Sequence, residues 1–372
     1  MADAMPHLLW KKLINKLFMN FFEEDKLTAL QSIEKAQWIA FAPAVFQTTR
    51  VLRETGILQI IQQHAEGLTQ EQVVEKVNVS KYGVRVLMEA ALGIGLLTCK
   101  DGVYKVTKTA TFILNDKLTQ VNFDFMNDVC YQGLFTLDKS IENGKPEGLK
   151  VFGDWPTLYR ALAHFPPKVR ESWLAFDHYY SDASFADVLP IVFKHKPKSL
   201  LDIGGNTGKW ALECFQHDED VIVTIFDLPG QVNMANKNIT AKGFGGRIRF
   251  HESDILDEAL PFPKGFDAIW MSQFLDCFSD EQIISILKRC RQALNPGGSV
   301  YILEPFWDCQ RFQVGAFALQ QTSIYFTAMA NGNSQMYHSD IFKGFIKEAG
   351  FEVAEQKDML GVGNTLLVCK TV

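Results

Sequence analysis

A glycine-rich run in the middle of the chain carries the clearest chemical signal. Residues 202–208 read Asp-Ile-Gly-Gly-Asn-Thr-Gly and follow a run of strand-forming residues. Glycines are needed where a backbone turns tightly and lies against a ligand. A dinucleotide-binding turn would space its glycines as G-x-G-x-x-G, and this run does not. The spacing therefore predicts a strand, a tight turn against a different ligand, and then a helix.

Three carboxylates, Asp202, Asp227 and Asp254, stand at the ends of three successive predicted strands. The first suits a ligand with an ammonium group and would repel a pyrophosphate. The second can accept hydrogen bonds from both hydroxyls of a ribose, and the third can accept one from the amino group of an adenine. S-adenosylmethionine carries all three groups, so we expect it as cofactor, with S-adenosylhomocysteine as its product. The predicted cofactor-binding residues are Asp202, Gly204, Gly205, Asn206, Gly208, Asp227, Leu228, Asp254, Ile255, Ser272 and Gln273.

Further motifs follow in order: Phe-Asp-Leu-Pro at 226–229, Ser-Asp-Ile at 253–255, Asn-Pro-Gly-Gly at 295–298 and Leu-Glu-Pro at 303–305. With the glycine-rich run, the set resembles the class I S-adenosylmethionine-dependent small-molecule O-methyltransferases. Residues 38–372 are most similar to the plant caffeate and hydroxyneurosporene type, and closest to methyltransferases of Bacteroidetes. The resemblance implies an α/β, Rossmann-like domain with a seven-stranded, mostly parallel sheet. It also implies a homodimer joined through an N-terminal winged-helix domain, and no metal requirement.

The catalytic base of that family is a histidine just after the fourth strand, and this chain lacks it. Residues 276–281 read Asp-Cys-Phe-Ser-Asp-Glu where the plant type has His-Asp-Trp-Ser-Asp-Glu. Ser272 replaces a lysine, and residues 333–335 replace a pair whose glutamate orients the histidine. A phenol has a pKa of about 10, so a base helps, and a carboxylate serves if burial raises its pKa. Asp276 is the first candidate, for O- or ring-C-methylation. The alternative is that Asp276 only orients substrate or caps a helix.

His178 is the second candidate for the base. It lies in a Phe-Asp-His-Tyr-Tyr segment at 176–180, which matches the family's helix before the glycine-rich strand. That helix touches both cofactor and acceptor in the family. A structural role is the alternative for a single histidine.

Aromatic residues concentrate between positions 122 and 180. They either form a hydrophobic core or wall an apolar pocket. We expect a small aromatic acceptor, phenolic or polyketide-like. The predicted pocket residues are Met126, Tyr131, Phe176, Tyr179, Tyr180, Tyr325 and Met329.

The elements that must position these residues alternate from residue 198 onward. Short runs of strand-forming residues are separated by helical segments, a pattern typical of an open parallel sheet with helices on both faces. Ligands of such sheets bind at the carboxyl ends of the strands. The sequence therefore predicts that the glycine-rich turn and the three carboxylates meet at one sheet edge.

The first part of the chain reads as helices, including one near residues 8–18, followed by a winged helix. Thr69 and Ser80 are expected N-caps, and Asp101-Gly102 predicts a hairpin turn. The second helix of the motif is apolar beyond Lys81 and Arg85, whereas DNA recognition needs several polar side chains. We expect dimerisation and no nucleic-acid binding. The predicted domains are 1–118 (dimerisation), 119–190 (helical pocket lining) and 191–372 (cofactor binding).

Bulk composition narrows the class of protein. The net charge is −6 without a long basic run, unlike a nucleic-acid-binding protein. The seven cysteines are dispersed and include no CxxC pair, which indicates reduced thiols in the cytoplasm. The sequence contains no run of 18 apolar residues, so we expect no membrane span. Two other functions stay open: a cofactor-retaining relative with non-methylating chemistry, and a small-molecule-responsive transcription regulator.

Overall fold

The computed structural model describes residues 21–372, which group into two compact units. One comprises residues 24–124, and the other comprises residues 125–372 together with residues 21–23. The predicted helix near residues 8–18, and the start of the predicted first domain, lie outside the described residues. None of the helices within residues 21–372 combines the length and apolar character needed to cross a membrane.

The unit of residues 24–124 contains a winged helix. Its three antiparallel strands are ordered β1-β3-β2, and Thr69 and Ser80 cap helices α3 and α4 through their side-chain oxygens. Helix α4 buries Val84, Met88 and Ala91, so the apolar face of this helix is core. The elements are α1 (Ala29–Glu54), α2 (Ile57–Gln62), β1 (Leu68–Thr69), α3 (Gln70–Val74), α4 (Lys81–Ile94), β2 (Leu97–Lys100), β3 (Val103–Val106), α5 (Lys108–Asn115) and α6 (Lys117–Phe125).

The second unit begins with a helical region. Two of its turns are π-helical, Met126–Cys130 and Phe326–Ala330, and both contribute to one aromatic cluster. The α-helices before the sheet are α7 (Leu137–Asn143), α8 (Leu158–Ala161), α9 (Pro167–Asp182) and α10 (Phe185–Val192).

A seven-stranded sheet forms the centre of this unit, in the order β6-β5-β4-β7-β8-β10-β9. Strand β10 is antiparallel to both neighbours, β8 and β9, while the five strands β4 to β8 pair in parallel. The elements are β4 (Ser199–Ile203), α11 (Lys209–His217), β5 (Ile222–Asp227), α12 (Pro229–Ala241), β6 (Ile248–Glu252), β7 (Phe266–Ser272), α13 (Asp280–Ala293), β8 (Leu294–Glu304), α14 (Gln313–Tyr325), α15 (Ser339–Glu348), β9 (Phe351–Leu360) and β10 (Asn364–Thr371). The predicted fold class is confirmed.

Hydrophobic cores cover both faces of the sheet, which is why its central strands are apolar throughout. One core joins α10, α11 and α12 to the sheet, and the other joins α13 and α15 to it. Because both faces of the sheet are buried, the polar residues at the ends of β4, β5 and β7 differ from the apolar residues in the rest of these strands. Because these strands are parallel, their carboxyl ends share one edge, as the sequence predicts.

The predicted domain boundaries stay a prediction. Position 118 falls inside α6, and the ranges 119–190 and 191–372 contribute residues to the same compact unit from residue 125 onward. The aromatic cluster of the π-helical turns contains residues from both ranges.

Candidate active site

The turn after β4 approaches its surroundings so closely that only glycine fits. Gly204 has φ +76°, and a Cβ there would lie 2.3 Å from the ring of Phe274. A Cβ on Gly205 would lie 2.8 Å from Oδ2 of Asp202. The turn is therefore a cradle whose backbone faces open space on its other side.

Two of the strand-end carboxylates are buried beside this turn. Asp202 is only 2% exposed, and burial raises its pKa well above the ordinary value, with a contribution from nearby Asp227. Asp227 accepts hydrogen bonds from the backbone N–H of Asn206 at 2.9 Å and of Leu228 at 2.7 Å. Burial outweighs these bonds and raises the pKa of Asp227 to about 6. Buried acids of this kind favour a cationic ligand.

The third carboxylate, Asp254, has partners of its own. Its Oδ2 pairs with the guanidinium of Arg160, and its Oδ1 accepts the backbone N–H of Leu256. On the other side of the cradle, Lys209 pairs with Asp182. Both cations that line the cavity therefore have carboxylate partners.

One cavity collects these residues. Of the eleven predicted cofactor-binding residues, ten line it. Gly208 does not: it has φ +79°, and a Cβ there would lie 2.7 Å from the side chain of Ile239. Gly208 thus shapes the cradle from behind.

Six buried polar atoms that line this cavity have no hydrogen-bond partner among the described residues. Since buried polar groups are nearly always hydrogen-bonded, their concentration around one cavity indicates that a polar ligand completes them. S-adenosylmethionine fits this donor and acceptor set, because its ammonium, ribose and adenine groups need partners of both kinds. The atoms are the hydroxyls of Thr207, Ser253 and Ser272, Oδ2 of Asp202, Oδ1 of Asn206 and Nε1 of Trp210.

A group of lining residues surrounds the loop of Cys277, and we call this part of the cavity the acceptor end. It is tied together by Asn331, whose side-chain amide donates to the backbone carbonyl of Cys277 at 2.7 Å. Its lining residues are Tyr159, Leu162, Trp173, Cys277, Phe278, Asn331 and Asn333. Tyr159 and Trp173 belong to the aromatic segment at 122–180 that the sequence offers as a pocket wall, but none of the seven is among the predicted pocket residues.

The seven predicted pocket residues do not line this cavity. Tyr325 and Met329 are buried in the aromatic cluster, and Phe176 stacks on Phe125 with ring centroids 3.9 Å apart. Tyr325 still supports the wall, since its hydroxyl accepts a hydrogen bond from the indole of Trp173 at 2.8 Å. The other four predicted residues are Met126, Tyr131, Tyr179 and Tyr180.

Asp276 lies directly behind the cavity wall. It is 5% exposed, and the thiol of Cys277, which does line the cavity, donates to its Oδ1 at 3.3 Å. Burial raises the pKa of Asp276 to about 7, and nearby Asp177 adds to the effect. A carboxyl group with this pKa is poised to accept a proton near neutral pH.

Glu304 holds the loop that carries Asp276. Its Oε1 accepts the backbone N–H groups of Phe274 at 3.1 Å and Leu275 at 2.8 Å. Burial, then the charge of Asp276, raises the pKa of Glu304 well above its ordinary value. The strand-end position of Glu304 was visible in the sequence, but its partners were not.

His178 lines the cavity but faces the cradle side. Its Nδ1 lies 3.5 Å from Oδ1 of Asp182. The adjacent Asp177 is buried, which raises its pKa, and it accepts a hydrogen bond from the side chain of Asn206 at 3.0 Å. Asp177 is thus a further carboxylate at the cradle, one position from the histidine that the sequence analysis selected.

Comparison with known proteins identifies the family. Residues 34–104 match the model of a Dimerisation2-like domain, and residues 172–352 match the model of an O-methyltransferase domain. The chain belongs to the S-adenosylmethionine-dependent small-molecule O-methyltransferases. It is therefore an S-adenosylmethionine-dependent methyltransferase, as the resemblance predicts. A special closeness to Bacteroidetes enzymes stays a prediction.

Relatives of this methyltransferase differ in the atom that they methylate. It is 23% identical to the L-tyrosine C(3)-methyltransferase of Streptomyces lavendulae, over 86% of this chain and 87% of the relative. It is 24% identical to the 3-hydroxy-5-methyl-1-naphthoate 3-O-methyltransferase of Streptomyces sahachiroi, over 69% and 73%.

Solved structures share the fold. One is an S-adenosylmethionine-dependent methyltransferase in its apo form, with a TM-score of 0.68 and 23% identity over 90% of this chain and 98% of that chain. Another is an O-methyltransferase from neocarzinostatin biosynthesis in complex with S-adenosylmethionine and a hydroxynaphthoic acid. It has a TM-score of 0.63 and 18% identity over 88% of this chain and 96% of that chain.

No group of three or more histidine, cysteine or acidic side chains within residues 21–372 is placed to hold a metal ion.

Proposed function

We propose that this enzyme transfers a methyl group to the hydroxyl of a small aromatic acceptor, phenolic or polyketide-like. The observation that carries the proposal is one continuous cavity, which joins the cofactor cradle to an aromatic acceptor end. Methyl transfer is an in-line displacement that depends mostly on proximity and orientation. The two relatives described above are named for aromatic compounds, a tyrosine and a hydroxynaphthoate, which supports an aromatic acceptor here.

Each strand-end carboxylate receives a role at the cofactor. The cofactor supplies an electrophilic methyl group on a positively charged sulfur. We assign Asp202 to its ammonium group, Asp227 to the ribose hydroxyls and Asp254, with Arg160, to the adenine. The unpartnered hydroxyls of Ser253 and Ser272 lie at the same edge and complete the polar contacts.

Asp276 is our choice as general base, acting through Cys277. Because Cys277 lines the cavity and Asp276 lies behind it, the acceptor hydroxyl reaches the thiol first. The hydroxyl proton passes to Sγ of Cys277 while the thiol proton passes to Oδ1 of Asp276. The acceptor oxygen then takes the methyl group, and no free thiolate forms.

The test is methyl transfer to a panel of phenols by the wild-type enzyme and four variants. We expect Asp276→Asn and Cys277→Ala to reduce turnover by about a hundredfold or more, which is the usual contribution of a general base. Cys277→Ser retains a hydroxyl that can relay a proton, so it should recover part of the rate. A large loss in His178→Asn alone would instead assign the base to His178.

Ring C-methylation is the second candidate reaction, and it is favoured by the sequence similarity to a tyrosine C-methyltransferase. A carboxylate near the acceptor could remove a ring proton as well as a hydroxyl proton. Product analysis by mass spectrometry and NMR separates an aryl methyl ether from a ring methyl group. Failure to form S-adenosylhomocysteine with any acceptor would favour a non-methylating relative.

A homodimer is the quaternary structure that we propose. The match to a dimerisation domain supports it, as does α1, which is exposed all round from residue 29 to residue 44 and carries several large apolar side chains there. Patches of this kind mark protein interfaces. The exposed residues are Leu30, Ile33, Trp38, Ile39 and Phe41. A cytoplasmic location stays a proposal, supported by seven free cysteines.

A further inference from the structure

The acceptor end of the cavity is surrounded by buried acids. Asp276 lies behind Cys277, Glu304 lies behind the same loop, and Asp177 lies on α9 between the cradle and the acceptor end. The charge of Asp177 acts on both Asp227 in the cradle and Asp276 behind the wall, which places it close to both. Burial raises the pKa of each of these acids, which shows that their surroundings already disfavour negative charge.

Both cations that line the same cavity are paired with carboxylates. Arg160 pairs with Asp254, and Lys209 pairs with Asp182 at 2.5 Å. Within residues 21–372, the lining of the acceptor end contains aromatic, aliphatic, thiol and amide side chains, but no lysine or arginine. A carboxylate that entered this end would meet acids behind the wall and no counter-ion.

Like charges close together in a buried site disfavour ionisation of one of them, often by one or more pKa units. A carboxylate on the acceptor would therefore have to enter protonated, or would keep Asp276 protonated and unable to accept a proton. Either outcome reduces productive binding, whereas an amide or hydroxyl group of equal size meets no such penalty.

We propose that the methyl acceptor is an uncharged hydroxylated arene, and that the acceptor end discriminates against aromatic carboxylates. This specificity rests on the proposed methyl transfer to an aromatic acceptor. The discrimination against carboxylates depends on the buried acids around the acceptor end and on the uncharged side chains that line it.

The experiment compares matched acceptors that differ in charge and hardly in size. Salicylamide is paired with salicylate, and a hydroxynaphthamide with the corresponding hydroxynaphthoate. Binding of each to the enzyme saturated with S-adenosylhomocysteine is measured by calorimetry, and methylation is measured with S-adenosylmethionine by mass spectrometry. We expect the amide of each pair to bind about tenfold more tightly or better at pH 7.5, since each pKa unit corresponds to a factor of ten.

A variant that adds a positive charge provides the second part of the experiment. Asn333 is exposed at the mouth of the acceptor end, so Asn333→Lys adds a cation where the wild-type lining has none. This variant should narrow the amide-to-carboxylate ratio by several-fold. Gln335→Lys adds the same charge two residues away, at an exposed position outside the lining, and should leave the ratio unchanged.

The outcomes separate this inference from the proposed function. Equal or tighter binding of the carboxylates would overturn the specificity inference while leaving methyl transfer intact. Preferential binding of the amides without turnover would support the specificity and overturn methyl transfer to these arenes. Binding of neither member of any pair would overturn both.

Discussion

The thiol of Cys277 donates a hydrogen bond to Oδ1 of Asp276 at 3.3 Å, and only Cys277 of the two lines the cavity. This relationship connects a buried carboxyl group to the cavity in which we propose that the acceptor binds. We propose that it lets the enzyme work without the histidine of the plant-type family. A thiol in the wall permits proton transfer while the charged group stays out of contact with solvent.

Activity should rise with pH through about 7. Burial raises the pKa of Asp276 to about 7 in the protein without cofactor, and only the deprotonated form accepts a proton. The value of kcat/KM reports groups of the free enzyme, so its acidic limb should lie near pH 7. Steady-state assays from pH 5.5 to 8.5 would show it.

The control for that profile is Asp276→Asn, which should lack the acidic limb as well as most of the activity. His178→Asn should retain the limb. If the limb disappears in the His178 variant and persists in Asp276→Asn, the assignment of the base is wrong.

Asp227→Asn should weaken binding of S-adenosylmethionine by roughly tenfold to a hundredfold, the usual range for a lost hydrogen bond to a charged group. The asparagine keeps one acceptor oxygen, so it can still accept one of the two backbone N–H groups, of Asn206 or of Leu228, that Asp227 binds. The cradle should therefore stay folded. Calorimetric titration measures the change. Glu252→Gln is a matched control, because Glu252 pairs with Asp227 in the register of β5 and β6 but does not line the cavity. Equal affinities for wild type and Asp227→Asn would contradict the ribose assignment.

The cofactor cradle could be predicted from sequence because its residues lie at strand ends. Parallel strands end at one edge, so Asp202, Asp227 and Asp254 had to converge once the alternating pattern was recognised. Arg160 could not be placed this way. It comes from a helix far earlier in the chain, and no local pattern indicates its pairing with Asp254.

The acceptor end was not predictable, for a specific physical reason. Met126 and Met329 lie within π-helical turns, and Tyr325 and Tyr131 directly flank them. A π-helical turn accommodates an extra residue, so the side chains around it leave the 3.6-residue period on which helical patterns depend. Tyr159 and Trp173 line the cavity instead, from separate helices.

Asp276→Asn should make the protein more stable at pH 8, at the expense of activity. The pKa of Asp276 is raised in the folded chain from its ordinary 3.8 to about 7. Between these values the folded chain holds a proton that the unfolded chain has lost, so the contribution of this group to stability decreases as pH rises from about 4 to 7. Each unit of pKa difference corresponds to about 1.4 kcal/mol. The Tm of the variant should exceed that of the wild type at pH 8, and the two should approach each other at pH 4.5.

An opposite result is expected for an exposed carboxylate. Asp220 pairs with Lys198, which lowers the pKa of Asp220. The Asp220→Asn variant should therefore be slightly less stable than the wild type at neutral pH. A lower Tm for Asp276→Asn than for wild type at pH 8 would show that its carboxylate stabilises the fold.

Substitution of exposed apolar residues of α1 should separate the proposed dimer. Ile33 and Ile39 are 62% and 67% exposed, and a carboxylate at an interface core is strongly disfavoured because it loses its hydration. The double variant Ile33→Asp, Ile39→Asp should raise the dimer dissociation constant by about a hundredfold, as expected when central interface residues are lost. Analytical ultracentrifugation over a range of concentrations measures this constant. The control is Tyr82→Asp. Tyr82 is 68% exposed on α4, so this variant introduces a carboxylate at a comparably exposed site outside α1. Its dimer dissociation constant should equal that of the wild type. A double variant that sediments as the wild type does would show that these two positions of α1 are not in the interface.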